Sequence, residues 1–330
     1  MRYAVLVDAG YFYAALATRI SGSSYRGAVK VNEEQFIARL LEQVEAECGA
    51  NLLRILWYDG GKDGIPDSDQ RRIGNLDGVK LRMGRINTYG EQKGVDLRLG
   101  LDLVLMAVNR TVEFAYVISG DDDLTEAVED AQQLGLRVKV LAVPLAGNDD
   151  VPFAVAQNLT LAADGVLLID PKNINESVTE APSSAAKRVA EAPMKQPSVK
   201  PTPAMMAKPR QPGVQSAPSS PPPPAPRTPL VSHELVYSSE WQNKEGHDEH
   251  SAAIPHDIIE EVARRTYSVW NRTATGQDIY HLSRNRPSIP PEVDRILLAD
   301  LSNTCDIYDI PLWARQELRT CFWAAVDETP

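Results

Sequence analysis

Three groups of carboxylates in this chain stand where apolar segments end or helical ones begin. Val117-Ile118 runs into Ser119-Gly120-Asp121-Asp122-Asp123, and a helical pattern starts at Leu124. Val5-Leu6-Val7 ends in Asp8, and Lys93-Gly94-Val95-Asp96 opens a further helical segment. If these acids converge, they repel: two carboxylates about 5 Å apart cost roughly 3 kcal/mol at an effective dielectric near 20. A divalent cation relieves that repulsion, and hard oxygen donors favour Mg²⁺ or Mn²⁺. Such an ion activates water and stabilises charge on a departing oxygen, so the chemistry points to phosphodiester hydrolysis. Each acid alone has an ordinary explanation, since Asp is favoured in turns and at helix N-caps. One of Asp121, Asp122 and Asp123 is expected to cap the helix that follows.

The elements that must position these acids are legible as alternating patterns. Tyr3–Val7 reads as a short apolar strand of the kind buried on both faces of a parallel sheet. Leu52–Tyr58, Val79–Met83, Phe114–Ile118 and Leu136–Leu141 are further strands, and Glu33–Glu47, Asp96–Val108 and Leu124–Leu134 are helices. Strands alternating with helices predict a doubly wound α/β domain. In such sheets ligands bind outside the carboxyl ends of the strands, where connections diverge to opposite faces. Asp8 and Asp121 both follow strands and would point into that crevice.

In order and spacing, residues 1–170 resemble NYN-domain proteins of the broad PIN-like nuclease group. The resemblance rests on Val5–Gly10, Lys93–Asp102 and Ser119–Leu124, and continues through Ala127–Val140 and Leu161–Asp164. It implies a PIN-like parallel sheet sandwiched by helices and metal-dependent ribonuclease activity. It also implies that Asp8, Asp96, Asp121 and Asp123 are the metal-binding and catalytic acids, with Asp122 at a variable, solvated or capping position. Asp102 matches a family acid too. It lies six residues beyond Asp96, about 240° around a helix, so it falls outside the main set and is expected to pair with Arg98. Many members carry Asn three residues after the first acid, where this chain has Tyr11. Tyr11, Phe12 and Tyr13 could stack nucleobases, with at least one of them packed beneath the sheet.

Charge argues against a passive nucleic-acid binder, because residues 1–170 hold 17 Lys and Arg against 25 Asp and Glu. A local basic run (Arg71, Arg72, Lys80, Arg82, Arg85, Lys93 and Arg98) leads into the Asp96 helix and could guide phosphates toward it. Lys93, three residues before Asp96, is the candidate for substrate binding as a point charge on a phosphate. The chain has no phosphate loop of the Gly-x-x-x-x-Gly-Lys-Ser/Thr type and no Gly-x-Gly-x-x-Gly turn. No second acid follows Asp8 two residues on, which disfavours an aspartyl-phosphate phosphatase. Cys48, Cys305 and Cys321 are too scattered for a zinc site, and so sparse a set suits a reducing cytoplasm. His233, His247, His250 and His256 read as a solvated approach rather than as ligands.

Composition changes after Asp170. Of 24 prolines, 15 fall between Pro171 and Ser232, so residues 171–250 are expected to be a disordered Pro/Ser/Ala-rich linker. Regular helical stripes resume from Pro255, Pro291 and Pro311, which predicts a small all-α domain over 251–330 with Trp270 and Trp323 in its core. That acidic module is expected to serve a protein partner or a homo-oligomer rather than to clamp RNA. No apolar stretch approaches the length of a membrane span. The leading expectation is a cytoplasmic Mg²⁺- or Mn²⁺-dependent ribonuclease acting on RNA. The rivals are a noncatalytic RNA-binding or protein-interaction module on the same fold, and a metal-dependent phosphatase.

Overall fold

A computed structural model of the chain describes residues 1–86, 92–183, 254–307 and 309–329, with the side chains of 62, 85, 86, 92 and 93 excepted. The sheet is built from β1 (Arg2–Asp8), β3 (Asn51–Lys62), β4 (Val79–Ile86), β5 (Gln92–Lys93), β6 (Phe114–Ile118), β7 (Arg137–Ala142) and β10 (Val166–Leu168). Their order is β10-β7-β6-β1-β3-β4-β5, and every neighbouring pair is parallel except β4 with β5. The chain leaves β1 toward β3 and β4, then returns to β6 on the other side of β1. The crevice between the carboxyl ends of β1 and β6 is therefore the topological switch point, where open α/β sheets bind ligands.

Alternation along β1 separates two cores. Tyr3, Val5 and Val7 face α1 (Ala9–Ser21) and α2 (Glu33–Cys48), packing with Phe12, Phe36, Leu40 and Trp57. Ala4 and Leu6 face α4 (Val95–Val108) and α5 (Thr125–Gln133), packing with Leu99, Leu103, Val128 and Ala131. By the same period of two, Asp8 falls on the α4 side. The helical pattern of α4 follows from Val95, Leu99, Leu103 and Ala107, an inward stripe at four-residue spacing. The predicted strands and long helices of this domain are present with shifted ends. Helix α3 (Ser68–Gly74), α6 (Gln157–Ala162) and two small antiparallel pairs, β2 (Val29–Val31) with β11 (Val178–Glu180) and β8 (Pro144–Leu145) with β9 (Asn148–Pro152), are additional.

Regular structure continues past the expected boundary at 170. Pro171–Ser177 forms α7, capped by Asp170 with Pro171 at its first turn, and Val178–Glu180 pairs with β2. The segment folds because it carries its own apolar anchors: Ile174 and Val178 are buried in the α2-side core, and Asn173 Nδ2 donates to the Phe36 carbonyl at 3.0 Å. Residues 184–250 of the expected linker lie outside the described residues, as do Trp241, His233, His247 and His250.

The C-terminal helices are α8 (His256–Thr273), α9 (Gly276–Arg284), α10 (Pro291–Cys305) and α11 (Leu312–Glu328). They share a core that includes Trp270, Phe322 and Trp323, as expected for the two tryptophans. They also dock on the α/β domain, and Tyr25 packs against their core. One docking point is Asp300 on α10, which is 3% exposed. Its Oδ2 accepts from Ser23 Oγ and Thr266 Oγ1 at 2.7 Å each, and its Oδ1 accepts from the Ser24 N–H at 2.8 Å. Asp300→Ala leaves those donors buried without an acceptor, so a loss of at least about 3 kcal/mol is expected. Chemical denaturation measures it, and an unchanged midpoint would show that the latch contributes little. No helix among the described residues is long and apolar enough to cross a membrane.

Candidate metal centre

Asp8 is the last residue of β1 and the N-cap of α1. Its Oδ1 accepts from the Gly10 and Tyr11 N–H groups at 2.8 and 3.3 Å, and its Oδ2 accepts from Ser119 Oγ at 3.3 Å. Only 8% of the residue is exposed. Burial, reinforced by the charge of Asp96, pushes its carboxyl up to about 7 despite those three hydrogen bonds. Asp96 sits in the first turn of α4, behind Gly94, whose φ of 77° sets the left-handed entry to the helix. Burial raises the Asp96 carboxyl as well, with further upward pressure from Asp121 and then Asp123. The four predicted acids are thus joined in one electrostatic chain, running from Asp8 through Asp96 to Asp121 and Asp123.

The Ser-Gly-Asp turn is held from both sides. Ser119 Oγ donates to Asp8 and accepts from the Asp121 N–H at 3.3 Å, tying the ends of β1 and β6 together. Asp121 caps a 3-10 turn over Asp122–Leu124, with its Oδ1 accepting from the Asp123 N–H at 3.0 Å. Gly120 lies so close to the loop after β9 that a Cβ there would stand 1.9 Å from the Ala154 carbonyl oxygen. Gly120→Ala is therefore expected to displace the turn and to cost about 1–3 kcal/mol. Thermal unfolding checks it, and a variant as stable as the parent would contradict the close approach.

Among the described residues, no three of these carboxylates each bring an oxygen within 4.8 Å of the others. The group that meets that spacing is His256, Glu317 and Cys321, remote in sequence from the acids and built around a 2.9 Å His256–Glu317 pair beside a buried thiol. The acids nonetheless fit a hydrated divalent ion in kind. All are hard oxygen donors, and the most buried of them has a carboxyl displaced upward in a way that a cation would reverse. Mg²⁺ in particular keeps several of its waters.

Other expected residues have different places. Asp122 is exposed and accepts hydrogen bonds from Thr125 Oγ1 and Asn158 Nδ2. The expected Asp102–Arg98 pairing is replaced: Asp102 accepts from Tyr58 at 2.9 Å and pairs with Arg82 at 3.2 Å, while Arg98 donates to the Met83 carbonyl. The reason is the sheet, which brings Tyr58 and Arg82 under α4. Lys93 lies on β5, and its side chain is outside the described residues. Of the basic run, Arg71 donates to the Pro66 carbonyl and Arg72 to Glu33, so much of it is engaged within the domain. Phe12 and Tyr13 are buried, and Tyr11 donates its hydroxyl to the Phe153 carbonyl at 2.7 Å. These aromatics pack or brace the turn and are not placed to stack bases.

Sequence reasoning missed Ser119, whose signal was its fixed place before Gly120-Asp121. It also passed over Asp59, which lies within β3 one residue beyond the partner of Asp8. Asp59 is 1% exposed, and its carboxylate is matched by the Arg26 guanidinium at 3.2 Å, so it stands apart from the repelling set.

Similarity to known proteins gives the family. Over 85 residues the chain is 39% identical to the uncharacterized protein y4oD of Sinorhizobium fredii, a match covering 26% of this chain and 40% of that relative. It thus spans less than half of that protein's length. A protein of unknown function, VPA0982 from Vibrio parahaemolyticus, shares 23% identity at a TM-score of 0.35, over 52% of this chain and 93% of that one. A pyrazinamidase/nicotinamidase from Streptococcus mutans shares 14% at a TM-score of 0.25, over 51% and 100%. Neither structural likeness is close enough to carry an argument. The NYN domain profile matches residues 2–170, more than half of the chain and the whole of the parallel sheet, and the chain belongs to the NYN domain family, within the PIN-like nuclease superfamily.

Proposed function

We propose that this protein is a metal-dependent ribonuclease that hydrolyses RNA phosphodiester bonds, with Asp8, Asp96, Asp121 and Asp123 holding Mg²⁺ or Mn²⁺. The observation that carries this reading is the mutual destabilisation of acids gathered at the switch point of the sheet, centred on a nearly buried Asp8. A fold that served only as a scaffold would gain by neutralising such a set, as it does at Asp59 with Arg26. A bound divalent cation supplies Lewis acidity toward water and phosphate oxygens.

The chain's own residues do the rest. The N–H groups of Gly10 and Tyr11 and the Ser119 hydroxyl fix both oxygens of Asp8, so its lone pairs keep one direction. The Asp123 N–H fixes Asp121 in the same way. Asp96 stands at the amino end of α4, where the helix dipole favours negative charge, and it bridges the other two electrostatically. Lys93, on the strand leading into α4, is assigned to the substrate phosphate. The three cysteines are free, which suits a cytoplasmic setting.

Cleavage of end-labelled single-stranded RNA with Mg²⁺, Mn²⁺ or EDTA tests the reading. Cutting is expected with either metal and none with EDTA. A full series without cutting would shift the assignment to a noncatalytic RNA-binding or protein-interaction module. Tyr11 lends that second reading support, because its hydroxyl braces the Phe153 carbonyl instead of offering an amide to the site.

A further inference from the structure

The C-terminal helices do more than cover the α/β domain. A hollow of about 480 Å³ lies between the catalytic turn and the end of α10, within the range typical of small-molecule sites. One wall is Gly120, Asp121 and Asp122, the second is the Phe153–Asn158 segment, and the third is Ser302, Asn303, Asp306 and Ile307. Two of the described non-glycine residues with positive φ, Ala154 at 46° and Asp306 at 53°, both line it. Backbone held in that region tends to accumulate at ligand sites. The third wall is held in place by Asp300, whose hydrogen bonds to Ser23 and Ser24 fix α10 against the α/β domain and whose bond to Thr266 ties it to α8.

The chemistry of the lining selects an occupant. Asp121, Asp122 and Asp306 face the hollow and among the described residues no cationic side chain lines it, so a phosphate is disfavoured. Leu145, Val155 and Ile307 offer apolar surface, and the exposed amides of Gln157 and Asn303 make no side-chain hydrogen bond among the described residues. Apolar faces with free amides and carboxylates match a nucleobase and the donating hydroxyls of its ribose. We propose that this hollow is a nucleoside subsite, holding the base and sugar next to the scissile phosphate, with Asn303 and Gln157 as binding residues. The C-terminal helices thereby form one side of the substrate cleft. This rests on the ribonuclease reading for the phosphate's position, but binding of RNA in the hollow is separable from turnover.

The test uses the full-length chain and a short fluorescein-labelled single-stranded RNA of mixed sequence. Fluorescence anisotropy with Ca²⁺ gives Kd, and cleavage with Mn²⁺ gives KM and kcat. Asn303→Ala and Gln157→Ala are expected to raise Kd and KM about fivefold to tenfold each with kcat within about twofold, as for loss of one hydrogen bond. Gln316→Ala, on the exposed side of α11, is expected to change neither. Equal affinity for RNA in wild type and both variants overturns the subsite, as does a wild type that fails to bind RNA. Weakened binding in the variants without cleavage by any form keeps the subsite and removes the nuclease reading.

Discussion

Replacing Asp8 with Asn is expected to stabilise the metal-free protein and to inactivate it. The folded state raises this carboxyl from an ordinary value of 3.8 to about 7. Below about pH 4 both folded and unfolded chains carry the proton, and Asp8 has no effect on stability. As pH rises toward 7 the unfolded chain releases the proton while the folded one retains it, so stability falls, and above about 7 the penalty is complete. A displacement of this size corresponds to about 4 kcal/mol at most. Asn keeps an oxygen for the Gly10 and Tyr11 N–H groups and carries no charge. The variant should therefore match the parent in acid and exceed it increasingly from about pH 4 to pH 7 in EDTA. Urea unfolding at several pH values reads this directly. A variant less stable than the parent at pH 8 would mean that Asp8 serves the fold rather than a cation.

Asp121→Asn carries the largest expected effect on chemistry. The Asp121 Oδ1 that accepts from the Asp123 N–H has an equivalent in Asn, so the turn keeps its shape. What is lost is charge at the mouth of the crevice. A fall in kcat of at least about 100-fold is expected, with an unchanged unfolding midpoint. Retained turnover in a preparation free of contaminating nuclease would remove Asp121 from the reaction.

The parts of this fold that were readable in sequence are those where one residue repeats a local rule. Tyr3, Val5 and Val7 alternate with Ala4 and Leu6, and the register that follows from β1 to β6 sets Val7 beside Ile118, so Asp8 and Ser119 come next in line. The stripe of Val95, Leu99 and Leu103 fixed α4, and with it the orientation of Asp96. What could not be read depends on partners far away in the chain. Asp102 lies one turn from Arg98, yet the sheet delivers Tyr58 and Arg82 to it instead. The latch joins Asp300 to Ser23 across 277 positions, and no periodicity announces it. α7 and β11 were submerged in a proline-rich composition, although Ile174 and Val178 are enough to hold them. The two-residue strands β5 and β8 are shorter than any alternating pattern can reveal.

On the proposed reading, Asp8, Asp96 and Asp121 with Asp123 hold a divalent cation together. Calorimetric titration of the metal-free, full-length protein with Mn²⁺ tests it most directly, beside Asp8→Asn and Asp121→Asn. Binding by the wild type, weakened at least about tenfold in each variant, is the predicted result. A wild type that takes up no Mn²⁺, or variants that bind it equally well, would contradict the account.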